Sequence, residues 1–291
     1  MAQDGSSASA GDVRYEVSDH VATITFTRPE QLNAFRAETM TEFVATLDRV
    51  DADDDVRAVI VTGSGRAFCA GADLSAGAAA FRPVERAGGG AATAEGESRH
   101  RDGGGMLALR ILESRKPIIG AINGAAVGMG ATMTLPMDVR VASTTARFGF
   151  VFTRRGIIPE GCSSWFLPRV VGIGTASEWM LTGRLIESAE ALRAGLVGSV
   201  HEPEALLPAA HEIARMIADQ AAPVSVAITR RLLWRMLTAD DPHVAHDIES
   251  CVLAWRSRSD DAIEGVTSFL EKRPARFTDR VSDLDPEVFG G

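Results

Sequence analysis

Two segments of the chain join an apolar run to closely spaced glycines, a combination that can hold an anion with backbone amides. The first segment, residues 118–138, reads IIGAINGAAVGMGATMTLPMD. Its opening residues predict a buried strand, Gly128 and Gly130 predict a tight turn, and residues 131–137 favour a helix that ends near Pro136. Amides left unpaired at a helix start can bind an anion or a developing oxyanion. The other interpretation is a tightly packed turn in an α/β core.

A second copy of this arrangement occurs earlier in the chain. The apolar run at residues 57–62 continues into GSGRAFCAGAD at residues 63–73. A strand therefore runs twice into glycine-rich backbone, which favours the anion-holding interpretation over simple packing.

Other chemistries find little support in the sequence. There is no phosphate loop, dinucleotide fingerprint or G-x-S-x-G elbow. His211-Glu212 lacks the second histidine of a zinc helix, and the six histidines do not cluster, so no metal site is expected. The formal net charge of −9, without any basic block, argues against nucleic acid as a partner.

Composition indicates a globular chain in a reducing compartment. The 291 residues can bury a large core, and no apolar run approaches the roughly 18 residues of a membrane helix. The three cysteines (Cys69, Cys162 and Cys251) suit neither a metal pair nor a disulfide framework, so a cytoplasmic location without membrane contact is expected. The N-terminal residues lack the features of a signal peptide and predict a disordered tail.

Hydrophobic periodicity places both glycine segments in an α/β core. Residues 15–17 and 21–27 alternate as in a β-hairpin, and residues 57–62 are apolar on both faces, as in a covered sheet. Asn33 is the expected N-cap of a helix, because apolar residues follow it at helical spacing up to Val50.

The remaining segments predict one long loop and then mainly helices. Residues 75–105 are glycine-rich and aperiodic, which predicts a lid or a poorly ordered loop before a helix at 106–112. Ser163 and Ser164 are expected to cap a helix at 165–171. A last strand is expected at 196–201. After a boundary near Glu202 only helices are expected, at 204–219, 223–237, 243–256 and 260–272.

Six strings along the chain resemble the crotonase superfamily, the enoyl-CoA hydratase and isomerase enzymes. They are RPEQLNAF (28–35), VIVTGSGRAFCAGADL (59–74), KPIIGAINGAAVGMGATMTLPMDVRVAS (116–143), FLPRVVG (166–172), LTGRLIESAEALRAGLVGSV (181–200) and VTSFLEKRPARF (266–277). These strings occur in family order, and the resemblance covers nearly everything from about residue 14 to residue 277.

This resemblance implies an α/β fold, the crotonase (ClpP-like) spiral of ββα turns. The spiral, with the CoA site and the active site, would span residues 14–202 after a disordered tail at 1–13. An all-helical region at 203–291 would form homotrimers or dimers of trimers. The partner implied is a fatty acyl-CoA substrate of the β-oxidation type, and no separate cofactor is expected because coenzyme A is part of that substrate.

In the family, the two glycine turns supply two backbone N–H groups that bind the thioester carbonyl of an acyl-CoA. The matching positions are the amides of Ala72 and Met129. Many family members have glycine at the position of Met129. Because the donor is a backbone amide, the substitution is expected to keep the donor and to narrow the acyl pocket.

The acid–base groups depart from the hydratase pattern. Hydratases of the family carry two glutamates, and the matching positions here are Thr132 and Phe152, neither of which can act as a base. Glu160 lies in PEGCSS at residues 159–164, which resembles the peroxisomal-type Δ3,Δ2-enoyl-CoA isomerases with their single glutamate. Glu160 is therefore the expected base and then acid, although an exposed turn residue is the other interpretation.

A single carboxylate favours isomerisation, because adding water also calls for a group that orients the water. Δ3,Δ2-Enoyl-CoA isomerisation through a stabilised enolate is thus the expected reaction. One alternative is an enoyl-CoA hydratase that adds water to trans-2-enoyl-CoA. Others are a thioester hydrolase or decarboxylase, and a catalytically inactive acyl-CoA-binding scaffold.

The resemblance also suggests residues that contact coenzyme A. Those expected around its adenine and pantetheine, or beside the thioester, are Ala34, Ala70, Gly71, Asp73, Leu74 and Gly128. The candidates for contacts to its phosphates are Arg36, Arg66, Phe269 and Lys272.

Overall fold

The computed structural model describes residues 11–75, 77 and 101–284, which form two β-sheets and a set of α-helices. Its strands are β1 (Val13–Ser18), β2 (Val21–Phe26), β3 (Ala58–Gly63), β4 (Ala67–Cys69), β5 (Ile118–Ile122), β6 (Ala125–Val127), β7 (Val139–Ser143), β8 (Arg147–Gly149), β9 (Leu185–Glu187) and β10 (Ser199–His201). Most of the expected tail and of the expected lid at 75–105 lies outside the described residues.

The helices lie between these strands and at the C-terminal end. They are α1 (Ala37–Ala52), α2 (Gly103–Leu112), α3 (Met129–Thr132), α4 (Ser163–Val171), α5 (Ile173–Thr182), α6 (Ser188–Arg193), α7 (Pro203–Gln220), α8 (Pro223–Met236), α9 (Pro242–Arg256) and α10 (Asp260–Glu271). In the described ranges, none of the helices combines the length and the apolar character that a membrane crossing requires.

The larger sheet has six strands in the spatial order β1-β2-β3-β5-β7-β10. The predicted hairpin is confirmed, because β1 and β2 pair antiparallel, and the other neighbours in this sheet run parallel. The smaller sheet has the order β4-β6-β8-β9, and only β9 is antiparallel to its neighbour.

The chain passes from the larger to the smaller sheet three times, from β3 to β4, from β5 to β6 and from β7 to β8. The corner after β5 requires glycine, because a Cβ atom on Gly124 would lie 2.1 Å from the carbonyl oxygen of Arg66. These crossings bring the ends of β4 and β6, and the glycine segments that follow them, to one edge of the smaller sheet.

Strand β3 is apolar on both faces, as predicted, because both faces of the larger sheet are covered. Val59 and Val61 belong to the main core together with Phe43 and Leu47 of α1. The alternate residues, including Ile60, pack against Leu206, Ala210, Ala214 and Ala218 of α7. A strand buried on both faces needs no polar alternation. The first helix after the expected boundary near residue 202 thus covers the sheet, and the domain division stays a prediction.

The prediction that Asn33 caps the first helix is wrong. Helix α1 begins at Ala37, after Arg36. Asn33 has a φ of 55°, and its side chain donates to the carbonyl oxygens of Ser64 and Ala67 at 2.9 and 2.8 Å. Its amide group therefore joins the segment before α1 to the first glycine segment.

Three helix starts also differ from the prediction. Helix α3 begins at Met129 and ends at Thr132, because the following residues bond three residues back in tighter turns. Helix α2 begins at Gly103, where the side chain of Asp102 caps it. Ser163 is the first residue of α4, and its hydroxyl donates to the carbonyl oxygen of Glu160 at 2.6 Å.

The last strand, β10, is also shorter than expected and begins at Ser199. Residue 196 lies in a turn instead, where the amide of Leu196 donates to the carbonyl oxygen of Ala191 at 2.9 Å.

Helix α8 is attached to the core by a buried arginine. Arg230 donates to the carbonyl oxygens of Ile111, Leu112 and Ser114 at the end of α2, and pairs with Asp138 at 2.8 Å. These contacts add donors to carbonyl groups at the end of α2, where the regular helical hydrogen bonds stop. The C-terminal helices are thereby linked to the helix whose first turn lies beside Glu160.

Candidate active site

The two glycine turns lie in contact with each other. Gly71 has a φ of +98°, and a Cβ atom on it would lie 2.7 Å from the carbonyl oxygen of Val127. Gly128 has a φ of +56°, and a Cβ atom there would lie 3.9 Å from the Cα atom of Gly71. Only glycine at position 71 allows this approach, and at position 128 the positive φ favours glycine. The prediction that the two segments form one paired arrangement is therefore supported by their packing.

The amides of Ala72 and Met129 are available to a ligand. Phe35 forms a parallel bridge with Ala72, in which its amide binds the carbonyl oxygen of Gly71 and its carbonyl oxygen binds the amide of Asp73, both at 2.8 Å. The amide of Ala72 therefore points away from this bridge. Met129 is the first residue of α3. Neither amide has an acceptor within the described part of the chain, so both can donate to a bound oxygen.

Glu160 is attached to the helix that carries the second of these amides. The hydroxyl of Thr132, at the end of α3, donates to Oε1 of Glu160 at 2.7 Å. The same hydroxyl lies 3.3 Å from the carbonyl oxygen of Met129. A hydroxyl group has a single proton to donate, so the shorter contact, to Oε1 of Glu160, is the hydrogen bond. Thr132 thus orients the carboxyl group beside the glycine turns.

The environment of Glu160 suits a group that both takes and returns a proton. Burial raises the pKa of Glu160 to about 7, while the hydrogen bond from Thr132 lowers it and the neighbouring Asp102 raises it further. A carboxyl with a pKa near the working pH is populated in both protonation states, which is the condition for general acid–base catalysis. This burial argues against the interpretation of Glu160 as an exposed turn residue.

Asp102 is a site residue that the sequence analysis missed. It is exposed, its Oδ1 atom accepts a hydrogen bond from the amide of Gly105 at 2.6 Å, and its carboxyl group raises the pKa of Glu160 through its charge and a side-chain hydrogen bond. An aspartate directly before a helix is a recognisable N-cap. No local pattern, however, relates it to a carboxyl group 58 residues later in the chain.

Arg28 and Asp73 hold the first glycine turn in place. Arg28 donates to the carbonyl oxygen of Ala34 at 2.6 Å and to the carboxylate of Asp73 at 3.0 Å. Hydrogen bonds from Ser75, followed by those from Arg28, lower the pKa of Asp73 to about 2. Asp73 is therefore ionised at neutral pH, and its carboxylate already accepts hydrogen bonds from Arg28 and Ser75. It is a structural group and a poor proton acceptor.

The residues expected to contact coenzyme A fall into two groups. Five of them lie along the first turn or next to it, and Gly128 lies in the second; the five are Ala34, Ala70, Gly71, Asp73 and Leu74. Arg66 precedes β4, and its side chain is exposed. The guanidinium of Arg36 instead donates two hydrogen bonds to the carboxylate of Asp12, from Nε at 2.7 Å and from Nη2 at 2.8 Å.

The other two candidates lie at the C-terminal end of the fold. Phe269, in the last turn of α10, is 80% exposed, and Lys272 follows this helix. No hydrogen bond, ion pair or ring contact within the described residues joins them to the glycine turns. All these CoA contacts remain predictions.

The cysteines near the site are unsuited to nucleophilic catalysis. Burial raises the pKa of Cys69 to about 12, and burial, followed by Asp102 and Glu160, raises the pKa of Cys162. A thiol needs a lowered pKa to react as a thiolate near neutral pH. In the ranges that the structure describes, no three acidic, histidine or cysteine side chains converge as a metal site.

Comparison with known proteins shows which family the chain matches. Residues 16–280 match the family profile described as enoyl-CoA hydratase/isomerase. The chain is 42% identical to enoyl-CoA hydratase ACTT3 of Alternaria alternata, over 93% of this chain and 87% of that protein. It is 35% identical to the short-chain-enoyl-CoA hydratase of Clostridium acetobutylicum, over 90% and 95%. It resembles the crystal structure of an enoyl-CoA hydratase from Bacillus anthracis with a TM-score of 0.78 and 28% identity, over 91% and 98%.

Proposed function

The chain belongs to the enoyl-CoA hydratase/isomerase family, and we propose that it adds water to the double bond of a 2-enoyl-CoA thioester. The observation that carries this proposal is the position of Glu160. This partly buried carboxyl, with a pKa of about 7, is bound through Thr132 to the helix that presents the amide of Met129. Acid–base chemistry and oxyanion binding can therefore act on one substrate.

The amides of Ala72 and Met129 are the proposed donors to the thioester carbonyl oxygen. When a nucleophile adds to C3 of a 2-enoyl thioester, the electrons of the double bond move to that oxygen and form an enolate. Donors that are fixed before the reaction stabilise this charge without reorganisation, each by roughly 3 kcal/mol of barrier. Because both donors are backbone amides, the fold itself positions them.

Glu160 is the proposed acid–base group of the hydration. Its carboxylate accepts one proton from water while the water oxygen forms the bond to C3. The protonated Glu160 then gives this proton to C2, and the enolate electrons return to form the C2–H bond. One water molecule is added, and the carboxylate is regenerated.

The relatives add support for hydration. Both curated relatives described above are named hydratases, and they align with about nine tenths of this chain. These names describe those proteins, and hydration comes to this chain as part of the proposal.

Δ3,Δ2-Enoyl-CoA isomerisation is the second candidate, and a specific observation favours it. Thr132 and Phe152 lie where the resemblance places the two hydratase glutamates, and Phe152 is buried in the core. Glu160 would then take a proton from C2 of a 3-enoyl thioester and return it at C4, through the same enolate.

The test uses the purified protein with matched trans-2-enoyl-CoA and 3-enoyl-CoA of one chain length. Chromatography separates the 3-hydroxyacyl, 2-enoyl and 3-enoyl thioesters and free coenzyme A. We expect 3-hydroxyacyl-CoA from the 2-enoyl substrate. Conversion of the 3-enoyl substrate to 2-enoyl-CoA without any hydration would establish isomerisation instead. Release of free coenzyme A would indicate hydrolysis, and binding without turnover would contradict both proposals.

A homotrimer, alone or paired as a hexamer, is the proposed assembly. Helices α8 to α10 expose large apolar side chains on the surface of the single chain. Such a surface is typical of an interface, where a second subunit would shield these side chains from water. They are Leu233, Leu253, Ile263, Val266, Phe269 and Leu270.

A further inference from the structure

The first turn of α2 is built around the carboxyl group of Glu160. This turn consists of three glycines, residues 103–105. Gly104 is buried, and a Cβ atom on it would lie 1.3 Å from Oε2 of Glu160. The carboxyl group therefore occupies the space that any side chain at position 104 would need. Asp102, two residues earlier, lies within hydrogen-bonding reach of the same carboxyl group.

The carboxyl group of Asp102 is fixed by the same turn. Its Oδ1 atom accepts the hydrogen bond from the amide of Gly105, and a Cβ atom on Gly105 would lie 2.7 Å from Oδ2. Asp102 is exposed, whereas Glu160 is partly buried. The two carboxyl groups thus form a contact that reaches from the interior of the site to its surface.

A hydrogen bond between two carboxyl groups requires one of them to be protonated, because ionised carboxylates only accept. Two carboxylates at this distance repel each other, so one of them stays protonated to a higher pH. Thr132 already donates to Oε1 of Glu160, which leaves Oε2, the atom beside Gly104, to carry the proton.

The other groups that face Glu160 do not supply a counter-charge. Cys69 from β4 and Cys162 from the same turn both have raised pKa values, so both thiols are neutral at pH 7. Among the described residues, Asp102 is the charged side chain that acts on the Glu160 carboxyl, and no cation does so.

We propose that Asp102 is a positioning residue that accepts a hydrogen bond from protonated Glu160, so that the two carboxyl groups hold one proton between them during the reaction. This inference rests on the proposed function only in making Glu160 the acid–base group. When Glu160 has taken the proton from water, Asp102 stabilises the neutral acid until the proton passes to C2. In the isomerisation it stabilises the same form between C2 and C4.

The kinetic test compares the pH dependence of kcat/KM in the wild type, Asp102→Asn and Asp241→Asn. Asparagine keeps the N-cap and removes the charge. Asp241 is the matched control, an exposed aspartate that caps α9 by accepting from the amide of His243 at 2.9 Å. We expect Asp102→Asn to lower the pKa of Glu160, read from the pH profile, by about one pH unit and to reduce kcat more than it changes KM. Asp241→Asn should leave the profile unchanged.

A second measurement needs no turnover. Denaturant unfolding between pH 5 and 8 is compared for the wild type, Asp102→Asn, Glu160→Gln and the double variant. Ionisation of Glu160 makes the free energy of unfolding depend on pH, and Asp102→Asn should shift this dependence to lower pH. The same substitution should have no such effect when residue 160 is already glutamine.

The outcomes are decisive in each case. If neither the kinetic ionisation nor the unfolding curve moves in Asp102→Asn, the proposal is overturned. If no thioester is turned over, the proposed function fails and the unfolding comparison alone decides whether the pair exists. Should Asp102→Asn not fold, Asp102→Ser also keeps a capping oxygen without the carboxyl group and takes its place.

Discussion

At the scale of single residues, Thr132 and Glu160 form the functional unit. One of the two positions where the resemblance implies a hydratase glutamate, Thr132, holds a hydroxyl that donates to the carboxyl group of Glu160. A hydrogen bond to the charged form of an acid favours that form. Thr132 therefore opposes the effects of burial and of Asp102, and keeps part of Glu160 ionised at neutral pH.

Replacement of Thr132 by valine tests this role. Valine keeps the shape and removes the donor, so the pKa of Glu160 should rise and the rate at pH 6.5 should fall several-fold. The pH profile of kcat/KM should recover at higher pH. Thr134→Val is the control, because Thr134 is also buried and donates to a backbone carbonyl, that of Ala131, at 2.8 Å. Equal pH profiles in both variants would rule out the hydrogen bond as a determinant.

The raised pKa of Glu160 also predicts a cost in stability. The unfolded chain ionises Glu160 near pH 4.5 and the folded chain near pH 7. Between these values the unfolded state binds fewer protons, so the wild type loses stability as the pH rises. Denaturant titrations should show the Glu160→Gln variant gaining about 2–3 kcal/mol over the wild type between pH 4.5 and pH 8. A difference that is constant with pH would contradict the raised pKa.

At the scale of elements, the first turn of α2 determines whether Glu160 can occupy its position. Alanine at position 104 would place a methyl group on Oε2, so Gly104→Ala should displace the carboxyl group and lower kcat by about 10²-fold or more. Gly103→Ala is the control in the same turn, where the nearest atom is the flexible Met40 sulfur at 3.3 Å. Turnover assays of both variants, with circular dichroism for folding, separate the two. Similar activities would show that the turn does not position Glu160.

The elements also show where sequence reasoning succeeded and where it failed. The covered strand β3 and the paired glycine turns were predictable, because apolar runs and glycine spacing are local patterns. The start of α2 was not, because three glycines are poor helix formers and this helix is stabilised by the Asp102 cap. The role of Asn33 was also misjudged, because its partners, Ser64 and Ala67, lie more than thirty residues away.

At the scale of the whole molecule, family membership confirms the predicted α/β crotonase fold with its C-terminal helices. The sequence alone identifies the likeness to acyl-CoA enzymes, because the family motifs span nearly the whole chain. The contact between Asp102 and Glu160 depends on tertiary packing and had no signal in the sequence.

The proposed trimer makes a prediction about the exposed face of α10. Light scattering should give three or six times the mass of one chain. Val266→Glu should lower this mass, because a charge at a desolvated contact is costly. Val17→Glu, the same change at an exposed residue of β1, should leave the mass unchanged; Val266 and Val17 are 63% and 43% exposed. A wild-type monomer would contradict the proposed assembly.

Turnover by Glu160→Gln decides whether Glu160 carries the proton in a reaction of enoyl-CoA thioesters. Rates with trans-2-enoyl- and 3-enoyl-CoA would be measured beside Glu202→Gln, a matched exposed glutamate that accepts the hydroxyl of Thr144 at 3.1 Å. We predict that Glu160→Gln binds the thioester but loses about 10³-fold in kcat, while Glu202→Gln keeps the wild-type rate. Wild-type turnover of both substrates by Glu160→Gln would show that another group carries the proton.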